Sequence, residues 1–459
     1  LEYEKVPTFT YDMDQKRLDN LPKEIAFTDD KGIKLSDVKS GKATLDEFIG
    51  QLTDDDLSCI IRGEGMGSLK VTLGTASAFG GVSPHLQQLG IPCACCDDGP
   101  SGMRLDSGVK AFSLPNGTLL ACTFNKKLNT ELYSFTAMEM VHNKVECLLG
   151  PGMNIHRHPL NGRNFEYFSE DPLVTGEIAA AQLLGMGTMN VTGTIKHFCA
   201  NNQETRRHDI DSVVSERALR EIYLKGFELA VKKGKASSIM TTYGSVNGRW
   251  TAGSYDLNTT ILRNEWGFKG VVMTDWFASI NEFGKPEDKT NFAAMIRSQN
   301  DLYMVCPDGS FASTGDNTLQ ALSDGRVTRA ELQRSAKNIC EWHLNANPLA
   351  RMMKTADTVK IINRPQEEAD GISSDNLEIV HVVDSVTIPL DTKDSTIAGT
   401  DYAFAVELEK RGMYKVYITG SSELGELAQL PITIFVMGIP TLSLSFTGTD
   451  GKDVTLERD

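Results

Sequence analysis

Between about residues 90 and 345, short apolar runs alternate with longer stretches of helical period. The runs are Ile91–Cys96, Cys147–Ile155, Thr194–Phe198, Ser238–Tyr243, Val271–Thr274 and Leu302–Cys306. Between them lie amphipathic segments such as Glu216–Lys232, where Leu219, Ile222, Tyr223 and Phe227 share one face. Two capping boxes, Thr44-Leu45-Asp46-Glu47 and Thr328-Arg329-Ala330-Glu331, predict helix starts, the second helix running to about Leu344. Asp171-Pro172 reads as an N-cap followed by a first helical residue. Strand–helix alternation of this kind predicts a parallel sheet.

Each apolar run ends in polar groups: Asp97-Asp98, His156-Arg157-His158, Lys196-His197, Tyr243, Asp275, and Asp308 just beyond Pro307. Closed barrels collect their active-site residues from the C-terminal ends of several strands, which is this distribution. The expected fold class is therefore α/β, a (β/α)8-like TIM barrel over residues 44–355. An open nucleotide-binding sheet would concentrate its signal in one glycine-rich turn. Gly63-Glu64-Gly65-Met66-Gly67 is spaced wrongly for that and follows no clear strand.

The flanks differ in character. Residues 1–43 are polar and irregular, with weak strand character near Pro7–Met13, and read as a linker or domain edge. Beyond residue 356 the runs Val359–Ile362, Glu378–Val383, Val386–Leu390, Tyr402–Val406, Tyr414–Ile418 and Pro431–Val436 are short, β-branched and turn-separated. They predict an all-β, sandwich-like domain over 356–459. The chain opens on Leu1 with no initiator Met or leader pattern and reaches Asp459 without an obvious closing strand. It reads as a piece of something longer, its second domain itself cut short.

Composition narrows the partners. With 459 residues, 40% of them hydrophobic, and a mean hydropathy of −0.24, the chain is expected to be soluble and globular, with two or three domains. No apolar run approaches the ~18 residues of a membrane span. A net charge of −15 and a pI near 5.1 repel phosphate backbones, which argues against nucleic acid. Nine cysteines, an odd count, include the crowded Cys93, Cys95 and Cys96 without Cys-x-x-Cys spacing. Buried strand thiols in a reducing, cytoplasmic compartment are expected, with no metal site and no cofactor. The sequons at Asn116, Asn190 and Asn258 carry no weight, since so short a pattern recurs by chance.

The segment Trp266-Gly267-Phe268-Lys269-Gly270-Val271-Val272-Met273-Thr274-Asp275-Trp276 feeds an apolar strand from a glycine turn and ends in a carboxylate and an indole. Such a carboxylate can attack an electrophilic carbon, and the ring offers a sugar's apolar face a surface. Alone, Asp275 would equally serve to cap the next helix, and Trp276 to fill core. Lys196 beside His197 supplies several donors in a small volume, suited to vicinal hydroxyls. A lone histidine there would read as an interior residue, but burying an ammonium without a purpose is costly. Asp98-Gly99-Pro100-Ser101-Gly102-Met103-Arg104 is an acidic strand end entering a glycine-rich turn. Arg163, in Asn161-Gly162-Arg163-Asn164-Phe165-Glu166, suits a ligand clamp or a structural pair with Glu166 or Asp171.

Taken in order, these segments resemble glycoside hydrolase family 3, in its β-glucosidase branch, over roughly residues 45–350. The likeness rests on DGPSGMR, GRNFEYFSEDP, KHFCANNQE and GFKGVVMTDW, supported by SERALREIYLKGF and by Tyr243–Gly248. It implies a retaining exo-β-glycosidase that releases terminal β-D-glucose through a covalent glycosyl-aspartate. Asp275 matches the nucleophile and Trp276 the aromatic on the leaving-group side. Asp98 and Arg104 match residues holding the far hydroxyls of the sugar, and Arg163, Lys196 and His197 match donors to the others. Tyr243 matches a phenol that hydrogen-bonds the nucleophile, and Met240 lies just before it on the pocket wall. One position departs: Gly244 stands where the family often has Asn.

A retaining glycosidase needs two carboxyl groups about 5–5.5 Å apart. The resemblance supplies only one. The N-acetylglucosaminidase branch carries its acid on a Gly-His-Gly loop, but Phe198-Cys199-Ala200-Asn201-Asn202 occupies that place here, and His208-Asp209 lacks the pattern. In the glucosidase branch the acid is a Glu from an α/β sandwich domain, which some members place ahead of the barrel. A companion chain or domain carrying the acid/base Glu is therefore expected, with a β-glucoside or oligosaccharide as substrate and a homo-oligomer left open. Three alternatives remain: a β-xylosidase or related β-glycosidase of the same family; a metal-dependent barrel hydrolase using His156, His158, His197, His208 and Asp275; and a non-catalytic glycan-binding protein.

Overall fold

Eight strands form one nearly closed sheet with helices around it. In the computed structural model the described residues are 12–66, 68–107, 109–359, 377–389, 403–410, 415–425, 429–436, 439–449 and 451–458. The strands are β1 (Arg62–Glu64), β2 (Ser77–Gly80), β3 (Cys93–Asp98), β4 (Cys147–Leu149), β5 (Thr192–Phe198), β6 (Ser238–Thr241), β7 (Val271–Met273) and β8 (Tyr303–Cys306). Each neighbours the next in chain order, and β8 pairs in parallel with β1. A parallel bridge between Met273 and Leu302, with Thr274 N donating to Leu302 O at 3.0 Å, draws β7 and β8 together.

All six expected runs are strands, and two were not foreseen. β1 and β2 are short and glycine-bearing, so neither has the length or the β-branched content that marks a strand. The expectation of eight parallel strands also needs correction. β2 pairs antiparallel with both β1 and β3. An antiparallel neighbour needs no crossover helix, and here a loop alone joins β1 to β2. From β3 onward every strand is followed by a helix on its way to the next, such as Lys126–His142, Pro172–Met186 and Phe292–Ser298.

Local chemistry accounts for the helices. Thr44 and Thr328 close the two capping boxes, and the Asp171 side chain accepts from Leu173 N and Val174 N with Pro172 in the first turn. The stretch from Glu216 to Lys232 contains a π-helical turn, Leu219–Tyr223. Its extra residue rotates the buried face, so Leu224 is buried where Tyr223 was expected, and Ile222 turns outward. The helix Arg329–Leu344 packs Leu332, Ala336 and Ile339 into a core shared with Phe48, Ile49, Phe79 and Met295.

Residues 12–43, expected as a linker or domain edge, carry the helices Met13–Leu18 and Leu35–Lys39. Arg17 forks onto both carboxylate oxygens of Glu331 at 2.7 Å, and Gln333 accepts from Ile25 N at 2.9 Å. Residues 7–11 of the weak strand expected at Pro7–Met13 lie outside the described residues, and Asp12 caps a helix there instead. A deeper ion pair sits on the seam. Arg62 in β1 forks onto Asp316 at 2.9 and 3.2 Å, with both side chains almost fully buried. Arg62→Ala strands the Asp316 charge, and urea unfolding should lose roughly 3–5 kcal/mol, the cost of breaking a buried pair. A loss under about 1 kcal/mol would show that water reaches Asp316 and relieves its charge.

The chain separates into two units: Leu1–Arg104 with Ala111–Asn363, and Leu105–Lys110 with Arg364–Asp459. In the second, the described strands pair two by two. Glu378–Val382 lies parallel to Phe404–Leu408, while Val416–Gly420 with Val454–Arg458 and Gln429–Val436 with Ile439–Thr447 are antiparallel. Residues 360–362, 390, 402 and 414 of the expected strands lie outside the described residues, and 386–389 are not in a strand. The nine cysteines are free thiols, seven of them buried, with Cys95 and Cys96 inside β3. Among the described residues no helix is long and apolar enough to cross a membrane.

Candidate active site

The C-terminal ends of β3, β5, β6 and β7 converge on a ring of polar side chains. Beyond β3 the chain must turn sharply at once. Gly99 has φ +133°, and a Cβ there would stand 1.6 Å from Gly102 O, so only glycine fits. The turn brings Arg104 back over its own strand end, where its N–H donates to Asp98 O at 2.9 Å and its guanidinium lies 3.9 Å from the Asp98 carboxylate. Across the gap, Lys196 Nζ donates to Asp98 Oδ1 at 3.3 Å. Burial alone would raise the Asp98 pKa. The Lys196 ammonium, its hydrogen bond, the Gly99 N–H and Arg104 outweigh that, and the carboxyl is held below its ordinary value.

Lys196 and His197 are consecutive, so a regular strand would aim them to opposite faces. The pairing of β5 with β6 shifts register between Ile195 and Phe198, and both side chains reach the ring. His197 is fully buried. Arg163 Nη1 donates to its Nε2 at 3.0 Å, which leaves the proton on Nδ1, 3.4 Å from Asn154 Oδ1 and 3.5 Å from the Tyr167 hydroxyl. Burial, then Arg163, Lys196 and Arg207, push its pKa well down, so the imidazole is neutral. Arg163 is fixed in turn by a salt bridge to Glu166.

Asp275 lies two residues past β7. Trp276 N donates to its Oδ1 at 2.7 Å, while Oδ2 is buried without a close hydrogen bond, 3.6 Å from His197 Nε2. The neutral imidazole makes this no ion pair. Burial raises the Asp275 pKa, opposed by Lys196, the Trp276 N–H, Arg163 and the Tyr243 hydroxyl. Tyr243, two residues past β6, is buried, and its own pKa is pushed up by burial and by the facing carboxylate. The Trp276 indole donates to Ala76 O at 3.4 Å, just before reversed β2.

The structure thus links Asp98, Arg104, Lys196, His197, Arg163, Tyr243, Asp275 and Trp276 into one constellation. Met240 stands apart from these polar contacts: it pairs with Met273 across β6 and β7 and is buried in the apolar core. His156 and His158 are turned to their own loop, Nε2 against Asn164 O at 2.9 Å and Nδ1 accepting from Leu160 N at 3.1 Å. Asn154 and Tyr167, which fix His197, were not foreseen, nor were Glu204 and Arg207. The polar run Asn201-Asn202-Gln203-Glu204 directly after an apolar strand was the available signal, since such groups need partners wherever they are buried.

Residues 27–341 match the family model for the glycosyl hydrolase family 3 N terminal domain. A beta-glucosidase of Ruminococcus albus is 59% identical over 455 residues, covering 99% of this chain and 48% of that protein. An exo-alpha-(1->6)-L-arabinopyranosidase of Bifidobacterium longum is 38% identical over 276 residues, 57% of this chain and 34% of its own. Among solved structures, a beta-glucosidase from Paenibacillus barengoltzii superposes with a TM-score of 0.75 at 47% identity, covering 99% of this chain and 48% of that one. Beta-glucosidase 3B from Thermotoga neapolitana, in complex with glucose, gives 0.61 at 34% identity over 68% of this chain and 44% of its own. The chain spans about half the length of the Ruminococcus relative or less of the others.

Proposed function

The chain belongs to glycosyl hydrolase family 3, and from that premise we propose that it is the catalytic barrel of a retaining exo-β-glucosidase with Asp275 as nucleophile. One observation carries the reading: a buried carboxylate, one oxygen held by Trp276 N and the other bare, stands inside a ring of hydroxyl-binding groups. Asp98, Arg104, Lys196, Arg163 and His197 present acceptors and donors to the sugar. Asp98 gives an acceptor for O4 or a hydroxymethyl group, which favours glucosides over xylosides.

Asp275 attacks the anomeric carbon, the glycosidic bond breaks, and a glycosyl-aspartate forms that water later hydrolyses. Burial raises the Asp275 pKa, and Lys196, the Trp276 N–H, Arg163 and Tyr243 oppose that by favouring its charged form. Hydrogen bonds to the sugar that strengthen as charge develops at C1 lower the barrier. The leaving oxygen needs a proton from a second carboxyl. The carboxylates beside the ring are already committed to cations: Asp98 to Lys196, Glu166 to Arg163, Glu204 to Arg207. We therefore assign the acid/base Glu to a companion chain or domain. Residues 44–355 are read as the barrel domain, 356–459 as a sandwich-like β domain, and the free thiols as those of a cytoplasmic protein.

Trapping tests the nucleophile. A 2-deoxy-2-fluoro-β-glucoside with a good leaving group should leave one sugar adduct, and peptide mass spectrometry should place it on Asp275. An adduct on any other side chain removes the assignment.

A further inference from the structure

Tyr243 faces the reacting carboxylate and favours its charged form, and its ring packs against a polar segment that the reaction scheme leaves without a task. The Arg207 guanidinium lies over the Tyr243 ring, 4.7 Å from its centroid, and the His208 ring stands at 4.1 Å, tilted by 51°. Arg207 is itself held: Nη1 donates to Glu204 Oε2 at 3.0 Å, and Glu204 Oε1 accepts from Asn201 Nδ2 at 2.9 Å. Asn201 Nδ2 also donates to the Tyr167 hydroxyl at 3.0 Å, which reaches His197. One strip of chain thereby braces both neighbours of Asp275.

A second observation comes from Gly244, the position that departs from the family pattern. A Cβ there would lie 2.7 Å from both Ile210 O and Ile210 Cγ2, and 3.5 Å from Arg207 O. Ser245 N donates to Ile210 O at 2.9 Å, so the strip is fastened against the bare Cα. Any side chain at 244 pushes that strip, and Arg207 with it, off the Tyr243 ring.

We propose that Glu204, Arg207 and His208 form a clamp that positions the Tyr243 hydroxyl on Asp275, with Arg207 its principal positioning residue and Gly244 the gap that admits it. A planar cation over a phenol ring attracts it and fixes its tilt, and the hydrogen-bonded Glu204 carboxylate holds the cation. The phenol has two torsions to settle, and a shift of about 1 Å in a group beside the nucleophile is enough to slow attack by orders of magnitude. Arg207 is bonded to Glu204 and stacked on Tyr243, and it acts on Asp275 through Tyr243.

The proposal rests on Asp275 being the nucleophile, and the test separates the two. The full chain is mixed with 2,4-dinitrophenyl 2-deoxy-2-fluoro-β-D-glucoside. A bond forms from Asp275 to C1, the C1–O bond to the aryl group breaks, and dinitrophenolate leaves with the electron pair. No proton is required, so the outcome is independent of the companion acid. For Arg207→Ala the saturated rate of dinitrophenolate release should fall about tenfold, with the half-saturating concentration little changed. The acid limb of its pH profile should move to higher pH, because the displaced Tyr243 hydroxyl no longer favours the charged form of Asp275. Arg207→Lys should fall between, Gly244→Ala should reproduce the loss, and Arg217→Ala, an exposed helix residue, should match the parent. An Arg207→Ala protein with parental rate and pH profile overturns the clamp. So does a slower rate with an unmoved acid limb, which would mark a merely structural role. A parent chain that takes no adduct at Asp275 overturns the nucleophile and the clamp together.

Discussion

Replacing Asp275 with asparagine is expected to lower kcat/KM for an aryl β-glucoside by roughly 10⁴-fold or more, as removal of a nucleophile does elsewhere. The same change should make the protein harder to unfold at neutral pH. Burial raises the Asp275 pKa, so the folded state holds this proton at pH values where the unfolded chain has released it. The group's favourable contribution is complete below the ordinary aspartate value of about 3.9 and is lost as pH rises through the raised one. Above that, a charged oxygen with no close hydrogen bond burdens the fold, and a neutral amide of the same shape does not. Thermal unfolding of parent and Asp275→Asn should therefore differ at pH 7, with the variant higher, and converge below about pH 4. Equal midpoints at both pH values would mean that the carboxylate is relieved by solvent or by a stronger partner than the ring supplies.

The second large effect concerns the leaving group. If the acid comes from elsewhere, this chain alone should hydrolyse dinitrophenyl glucoside at a useful rate, since that phenolate departs without protonation. Alkyl glucosides and cello-oligosaccharides should lag by roughly 10²–10⁴-fold more than their intrinsic reactivity accounts for, the usual worth of a positioned general acid. Rates plotted against leaving-group pKa should give a steep line for the isolated chain and a flat one once the companion is added. A flat line from the isolated chain would place the acid within it, and the Arg163–Glu166 and Arg207–Glu204 pairs would then be the first to re-examine.

Much of the site could be read from the sequence because its residues sit where an apolar run stops. Asp98, Lys196, Tyr243 and Asp275 each follow a stretch long enough to declare itself a strand. The capping boxes at Thr44 and Thr328 were equally plain, since the motif is local and names its own partner three residues on. What escaped was of two kinds. β1 is an Arg-Gly-Glu triplet, and its burial depends on Asp316, far along the chain, which no local window contains. Asn154, Tyr167 and Arg207 are ordinary loop residues until the fold sets them against His197 and Tyr243. The reversal of β2 was invisible for a similar reason, because strand direction is written in the connection and not in the strand.

That reversal bears on how the ring comes together. β1, β2 and β3 form a meander within residues 62–98, so their pairings close short loops and carry a small entropic charge. The seam between β1 and β8 is the opposite case, with the Arg62–Asp316 pair joining positions 254 apart. A chain with both features has a quick corner and a slow fastening, and contact order sets the pace by the latter. The barrel is a coil of ribbon with a buckle, and whatever loosens the buckle unrolls the mouth where Asp275 waits.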